Sequence, residues 1–479
     1  MTDPSMNRTG EAAGGEAAAG EPVRAASPGT DSARTRTVDS NLARTGTVNA
    51  NPVRTGPDNP HLVRTGPVSA TLVTGPDRTN PLRTGPIRYA TAERFGRPRP
   101  VPARDSRPSS GEICPQLPSR LDAVMGPPRD ARPQGEDCLN LSIVTPAKDA
   151  SARPVLVWFH GGGFSSGAGL MDWYDGGALA VQGDVVVVGV NYRLGALGYL
   201  CLDGVAEGNL GLYDQVEALR WVHRNIAAYG GDPGNITVLG QSAGAISVRL
   251  LMELPEAKGL FRRAILQSAP LILSARPREQ ALELGRVFAD ALEEDPRTAA
   301  VPAVLAAQRE TAVANLRRPG SPMEPAFLPV EGAGPLTALG ANLDDNVRGL
   351  DVLYGWNADD MSAFPDEGDD PADATRRVYQ EPLGRFGARL ARAGARVHAY
   401  RLDWRPTGSP FGATHCLELP LLLGSRAAWQ DSPMLGRTPW EETDRLGFAL
   451  RTAWLRFAHT GDPGALDAPL RRVPVPDPA

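Results

Sequence analysis

Lysine is nearly absent from this chain of 479 residues: it stands only at 148 and 258, so almost all of the 50 basic residues are arginine. Against 55 acidic residues the net charge is −5, which argues against a nucleic-acid partner. The arginine bias reads as the mark of a GC-rich genome rather than of a function. Four cysteines are too few for a disulfide scaffold at this length. Cys114 and Cys138 flank a Pro-rich loop and either pair in an oxidising compartment or stay reduced in the cytoplasm. No apolar segment follows Met1-Thr-Asp-Pro-Ser-Met-Asn-Arg8, so no secretory leader is read and the cytoplasm is the expected compartment. The most apolar run, Val185 to Leu202, is broken by Asn191 and Arg193; it reads as a buried strand and its sequel, and no membrane association is expected.

What is present suffices for a large core. Hydrophobic residues make up 41%, and a chain this long predicts roughly two to four ordinary domains, though α/β enzymes often exceed that as one unit. Residues 1–86 read as a disordered tail. Small and polar residues dominate its first part, and a degenerate ten-residue repeat follows at Arg44-Thr-Gly, Arg54-Thr-Gly, Arg64-Thr-Gly, Val73-Thr-Gly and Arg83-Thr-Gly. A unit that short, with one or two small aliphatics, buries too little to fold. Residues 87–479 read as the catalytic domain. Pro154–Phe159 and Val185–Val190 are continuous apolar runs that suit strands covered on both faces. Leu212 to Tyr229 has the spacing of an amphipathic helix that Gly230-Gly231 stops. Strands are also read at 137–145, 263–268, 350–355 and 396–401, helices over 275–320 and 440–459, and a frayed end after 470. Alternating strands and helices predict an α/β fold with a doubly wound, mostly parallel sheet and helical cap elements.

Chemistry centres on Ile236-Thr-Val-Leu-Gly-Gln-Ser-Ala-Gly-Ala245. Strand formers run into Gly-Gln-Ser-Ala-Gly, and helix formers follow. A strand that turns at once into a helix exposes Ser242 on a tight corner, with glycines two residues to either side because a Cβ would strike backbone there. The helix N-terminus favours the negative charge that forms when a serine attacks a carbonyl. His160-Gly-Gly-Gly-Phe164 follows a strand directly, so its N–H groups, with that of Ala243, suit an oxyanion hole. Of six histidines, at 61, 160, 223, 398, 415 and 459, only His415 lies in a Gly- and Pro-rich loop after the last clear strand. In hydrolases of this type the chain order is serine, acid, histidine, which puts the acid in Gly355-Trp-Asn-Ala-Asp-Asp-Met361.

With these motifs the chain resembles the type-B carboxylesterases, the para-nitrobenzyl esterase and cholinesterase family of the α/β-hydrolase fold. Further matching stretches are Glu136-Asp-Cys-Leu-Asn-Leu141, Asn191-Tyr-Arg193, Gly208-Asn-Leu-Gly-Leu-Tyr-Asp-Gln215, Asn225-Ile-Ala-Ala-Tyr-Gly-Gly-Asp-Pro-Gly-Asn-Ile-Thr-Val238 and His415-Cys-Leu-Glu-Leu-Pro420. The resemblance implies a carboxylic-ester hydrolase with Ser242 as nucleophile, His415 as base, and the amides of Gly162, Gly163 and Ala243 as oxyanion donors. It puts Asp360, rather than Asp359, where the family usually has Glu. It puts Glu418 and Ser268 behind the histidine, counts Gln241 with them as a supporting residue of the site, and matches Cys114 and Cys138 to a family disulfide. It implies no metal or cofactor and a small-molecule ester as substrate; the sequence leaves the oligomeric state open, with a monomer expected. The chain departs from the pattern in four ways: the two-stranded N-terminal ribbon is missing, Gln241 replaces a common Glu, the acid is one methylene shorter, and the domain is short. Two other readings are a catalytically silent binding relative, and a hydrolase of amides, lactones or carbamates.

Overall fold

The computed structural model describes residues 80–102, 109–130, 132–318, 324–364 and 370–476. The tail up to residue 79, with the first four repeats, lies outside the described residues.

A nine-stranded sheet forms the centre of the molecule. Its strands in chain order are β1 (Leu82–Arg88), β2 (Asn140–Thr145), β3 (Arg153–Phe159), β4 (Val186–Val190) and β5 (Gly231–Gln241). They continue with β6 (Arg263–Gln267), β7 (Asp351–Asn357), β8 (Arg396–Leu402) and β9 (Leu470–Val473). The spatial order is β1-β2-β4-β3-β5-β6-β7-β8-β9. From β4 to β8 every pairing is parallel; β1 and β2 on one side and β9 on the other pair antiparallel. The sheet is therefore mostly parallel and doubly wound, as expected.

The long apolar runs become strands buried on both faces because each face has its own core. Along β3, Val155, Val157 and Phe159 point into one core, while Leu156 and Trp158 point into the other. The longer helices are α1 (Gly177–Gly183), α2 (Leu210–Asn225), α3 (Ala243–Leu251), α4 (Arg278–Leu292), α5 (Val301–Leu316), α6 (Glu381–Arg392) and α7 (Trp440–Thr460). Val216, Leu219 and Trp221 of α2 fill the first core; Leu450, Trp454 and Phe457 of α7 fill the second. Side chains of that size each contribute about 1.5–3 kcal/mol when fully buried. Gly230, at φ 82, ends the turn after α2 where the sequence predicts the stop. Among the described residues no helix is long and apolar enough to cross a membrane.

Two sequence expectations need correction at the sheet edges. The tail boundary expected at residue 86 falls inside β1, so the fifth repeat, Arg83-Thr-Gly85, is part of the sheet. Gly85 sits at a register shift with φ 131, where a Cβ would stand 2.9 Å from Leu141 O, and Arg83 pairs with Asp175 at 2.7 Å. One copy is thus recruited by partners distant in sequence, which repeat composition does not reveal. The C-terminal stretch expected to be frayed contains β9, whose Leu470 is buried opposite Leu402. A four-residue edge strand with two exposed arginines has too little alternation to be read from sequence. A two-stranded ribbon is also present: Ala90–Thr91 pairs antiparallel with Arg99–Pro100.

Candidate active site

Parallel strands deliver their C-terminal ends to one edge of the sheet, where ligands bind in open α/β folds. Here β3 leads into the glycine loop, β5 into Ser242, β6 into Ser268, β7 into the Asp359-Asp360 loop, and β8 into the loop that carries His415. Residues far apart in sequence converge because their strands are neighbours.

Ser242 stands between β5 and α3 with φ 55 and ψ −122, a backbone region that side chains rarely adopt. The corner is enforced by close packing. A Cβ on Gly240 would lie 2.4 Å from the Gly244 carbonyl, and one on Gly244 would lie 2.0 Å from Phe159 O. The two glycines that sequence spacing singled out are thus required by contact with backbone. Ser242 N–H is held by Gln267 O at 2.9 Å, and the side chain is half-buried beside a cavity.

His415 and Asp360 are both fully buried, with Nδ1 of the imidazole 2.7 Å from Oδ1 of the carboxylate. The other oxygen, Oδ2, accepts from Ser268 Oγ at 2.9 Å and from the Asn357 backbone N–H at 2.8 Å. Asp359 faces away: its carboxylate accepts two hydrogen bonds from Arg405, at 2.8 and 2.9 Å, and one from the Ala413 N–H at 2.8 Å. Glu418 lies behind, accepting from Asn357 Nδ2 at 2.6 Å and Gln267 Nε2 at 3.4 Å. Burial and the neighbouring Asp360 hold the Glu418 carboxyl above its usual range. Asn357 and Gln267 were not singled out from sequence; their position at the ends of β7 and β6 is the only available signal.

The second imidazole nitrogen is engaged by Gln241, expected as a supporting residue but not in contact with the histidine. Gln241 Nε2 lies 3.0 Å from His415 Nε2, and no hydrogen bond joins Ser242 Oγ to the histidine. With Nδ1–H given to Asp360, Nε2 carries the lone pair and the amide N–H donates to it.

The glycine loop packs against the same corner. Gly162 and Gly163 have φ of 106 and 60, and a Cβ on Gly161 would lie 2.7 Å from Gln241 Oε1. The N–H groups of Gly162, Gly163 and Ala243 make no hydrogen bond to protein among the described residues. The loop is anchored by His160, buried and stacked 4.4 Å from the Tyr192 ring, with Nδ1 2.8 Å from Gly161 O. Tyr192 OH donates to His160 O at 2.6 Å. Burial pushes the His160 imidazole down to about 4, so it is neutral at ordinary pH.

Two cavities flank the loop. One, of about 230 Å³, is bounded by Ser242, Gly163, Phe327, Phe364 and Leu316 of α5. The other, of about 340 Å³, lies beyond Gly161 and Gln241 and is lined in part by Asp122 and Asp130. Cys114 and Cys138 are free buried thiols, not the disulfide that the resemblance implies. Contact with Cys114 and burial push the Cys138 thiol well up. Among the described residues no group of three or more His, Cys, Asp or Glu could hold a metal ion.

Residues 85–372 match the model of the carboxylesterase family. A probable N-octanoylanthranilate hydrolase of Rhodococcus erythropolis is 41% identical over 78% of this chain and 88% of its own. The para-nitrobenzyl esterase of Bacillus subtilis is 33% identical over 74% of this chain and 79% of its own. The solved structure of a thermophilic PNB esterase superimposes with a TM-score of 0.71 at 29% identity, covering 83% of this chain and 90% of that one.

Proposed function

The chain belongs to the carboxylesterase family and is a carboxylic ester hydrolase; from that premise we propose a serine mechanism with Ser242 as nucleophile, His415 as base and Asp360 as the acid that orients it. Ser242 Oγ attacks the ester carbonyl and its proton passes to His415 Nε2. The oxyanion accepts hydrogen bonds from the N–H groups of Gly162, Gly163 and Ala243. The intermediate collapses as His415 gives the proton to the departing alkoxide, which leaves as alcohol and an acyl-enzyme. Water then attacks the acyl group, again losing its proton to His415, and the acid leaves as Ser242 regains its hydrogen. The substrate is a small-molecule ester, and the enzyme works as a monomer without metal or cofactor.

The observation that carries this reading is the buried His415–Asp360 contact of 2.7 Å on the loops flanking the strained serine corner. The test is a panel of p-nitrophenyl esters of increasing chain length, run beside Ser242→Ala. Turnover that survives the substitution sinks the mechanism; a residual ~10³–10⁴-fold over water is the expected remainder of oxyanion hole and binding.

A second reading extends the substrates to N-acyl compounds. Its support is the 41% identity to a relative named for N-octanoylanthranilate, together with the apolar side chains Leu273, Leu316 and Phe327 at the cavity beside Ser242. Comparing an octanoyl ester with the corresponding octanoyl anilide decides it: no anilide hydrolysis means esters alone.

A further inference from the structure

The nitrogen of His415 that must take the serine proton is already engaged, and by a residue the reaction scheme does not use. Gln241 is fully buried, one residue before Ser242, and its side chain lies between the imidazole, the Cys416 thiol and the glycine loop. Its Oε1 is turned toward Gly161, and its Nε2 toward His415 Nε2 at 3.0 Å. An amide N–H has no proton to give to imidazole at any ordinary pH; it can only donate a hydrogen bond. That bond occupies the Nε2 lone pair, and a proton placed on this nitrogen would face another N–H.

Resting on the reading of His415 as base, we infer that Gln241 is a positioning residue: its amide caps the lone pair of His415 Nε2 in the free enzyme and yields the nitrogen to Ser242 when substrate arrives. The other groups around the imidazole leave this task to Gln241. Asp360 engages the opposite nitrogen. Glu418 is kept toward its neutral form by burial and by Asp360, and bonds to Asn357 instead. The Cys416 thiol and the Tyr400 phenol are pushed well up by burial and by the two carboxylates. Tyr379 and Phe364 present rings, with centroids 5.6 and 5.5 Å from the imidazole. The cationic Arg405 is bound to Asp359, and Ser268 is spent on Asp360. Asp360 is thus the one carboxylate hydrogen-bonded to His415 among the described residues. A glutamate at 241 would add a second, on the nitrogen that has to stay unprotonated.

The test is the pH dependence of kcat/KM together with the reactivity of the serine in the free enzyme. In Gln241→Glu the acidic limb should move up by about one pH unit or more, the effect of an opposite charge at such range. In Gln241→Met, which keeps the length but loses the donor, a sulfonyl fluoride should inactivate Ser242 several-fold faster than in wild type above the limb, because Nε2 is uncapped. A merely structural glutamine would in Gln241→Met lower kcat and slow the inactivation in proportion. A limb unmoved by Gln241→Glu overturns the cap. Should that variant not fold, the sulfonyl fluoride rate in Gln241→Met decides, and no increase overturns the cap. A wild-type profile without an acidic limb overturns the base assignment and the cap with it.

Discussion

The cavity beside Ser242 has two walls of different construction. One is made of strand ends and backbone, the corner at Ser242 and the glycine loop, within contact distances that admit no added Cβ at Gly161, Gly240 or Gly244. The other is made of side chains from α5 and the segment before Phe327, and it reaches solvent: Leu316 is 61% exposed although it borders the cavity. The first wall fixes atoms whose positions the chemistry needs to within fractions of an ångström. The second needs only to be apolar and about the right size. The first wall is therefore fixed tightly, and the second loosely.

Substitutions can break this contrast, beginning with the largest effect. Asp360→Asn should lose about 10⁴ in kcat, as removal of an orienting carboxylate does in a well-studied triad, whereas Asp359→Asn, bound to Arg405, should lose less than about tenfold. Steady-state rates on a p-nitrophenyl ester check this, and reversed ranks would move the acid to Asp359. Gly244→Ala comes next. A Cβ 2.0 Å from Phe159 O forces the backbone apart, so unfolding in urea should show a loss at the upper end of the ~1–3 kcal/mol typical of overpacking. A variant as stable as wild type would mean that the rigid wall yields.

The anchor of the glycine loop titrates. Burial holds His160 at about 4, while an unfolded histidine sits near ~6.5, so the unfolded chain binds a proton that the folded one refuses. Stability should fall as pH drops from about 6.5 to about 4, by on the order of 3 kcal/mol, and this contribution should flatten below. Urea midpoints at neutral and acidic pH, in wild type and His160→Asn, isolate it: the acid loss should be smaller in the variant. The smallest effect belongs to the loose wall. Leu316→Ala should change stability by less than about 0.5 kcal/mol. The ratio of kcat/KM for long over short acyl esters should fall by only a few-fold, about 1 kcal/mol or less. A large loss with every ester would make the two walls alike.

The same contrast explains what the sequence reveals. The spacing of Gly240 and Gly244 around Ser242 is legible because its steric cause acts within a few residues. His415 emerges from the position of its loop relative to the strands, and Asp360 from resemblance, since Asp359 and Asp360 are indistinguishable by composition. The contact of Gln241 with His415 is not legible: the two are 174 residues apart, and only the adjacency of strand ends joins them. Nor are β9 or the recruitment of the last repeat into β1, where the partner strand, not the local pattern, makes the structure.

One residue is placed under opposing demands. At φ 55 and ψ −122 Ser242 occupies backbone that costs any side chain about 1–3 kcal/mol and costs glycine almost nothing. Selection for folding alone would drift toward glycine there, and Ser242→Gly should unfold at higher urea than wild type while losing turnover. The proposed nucleophile thus stands on backbone that the fold alone would give to glycine.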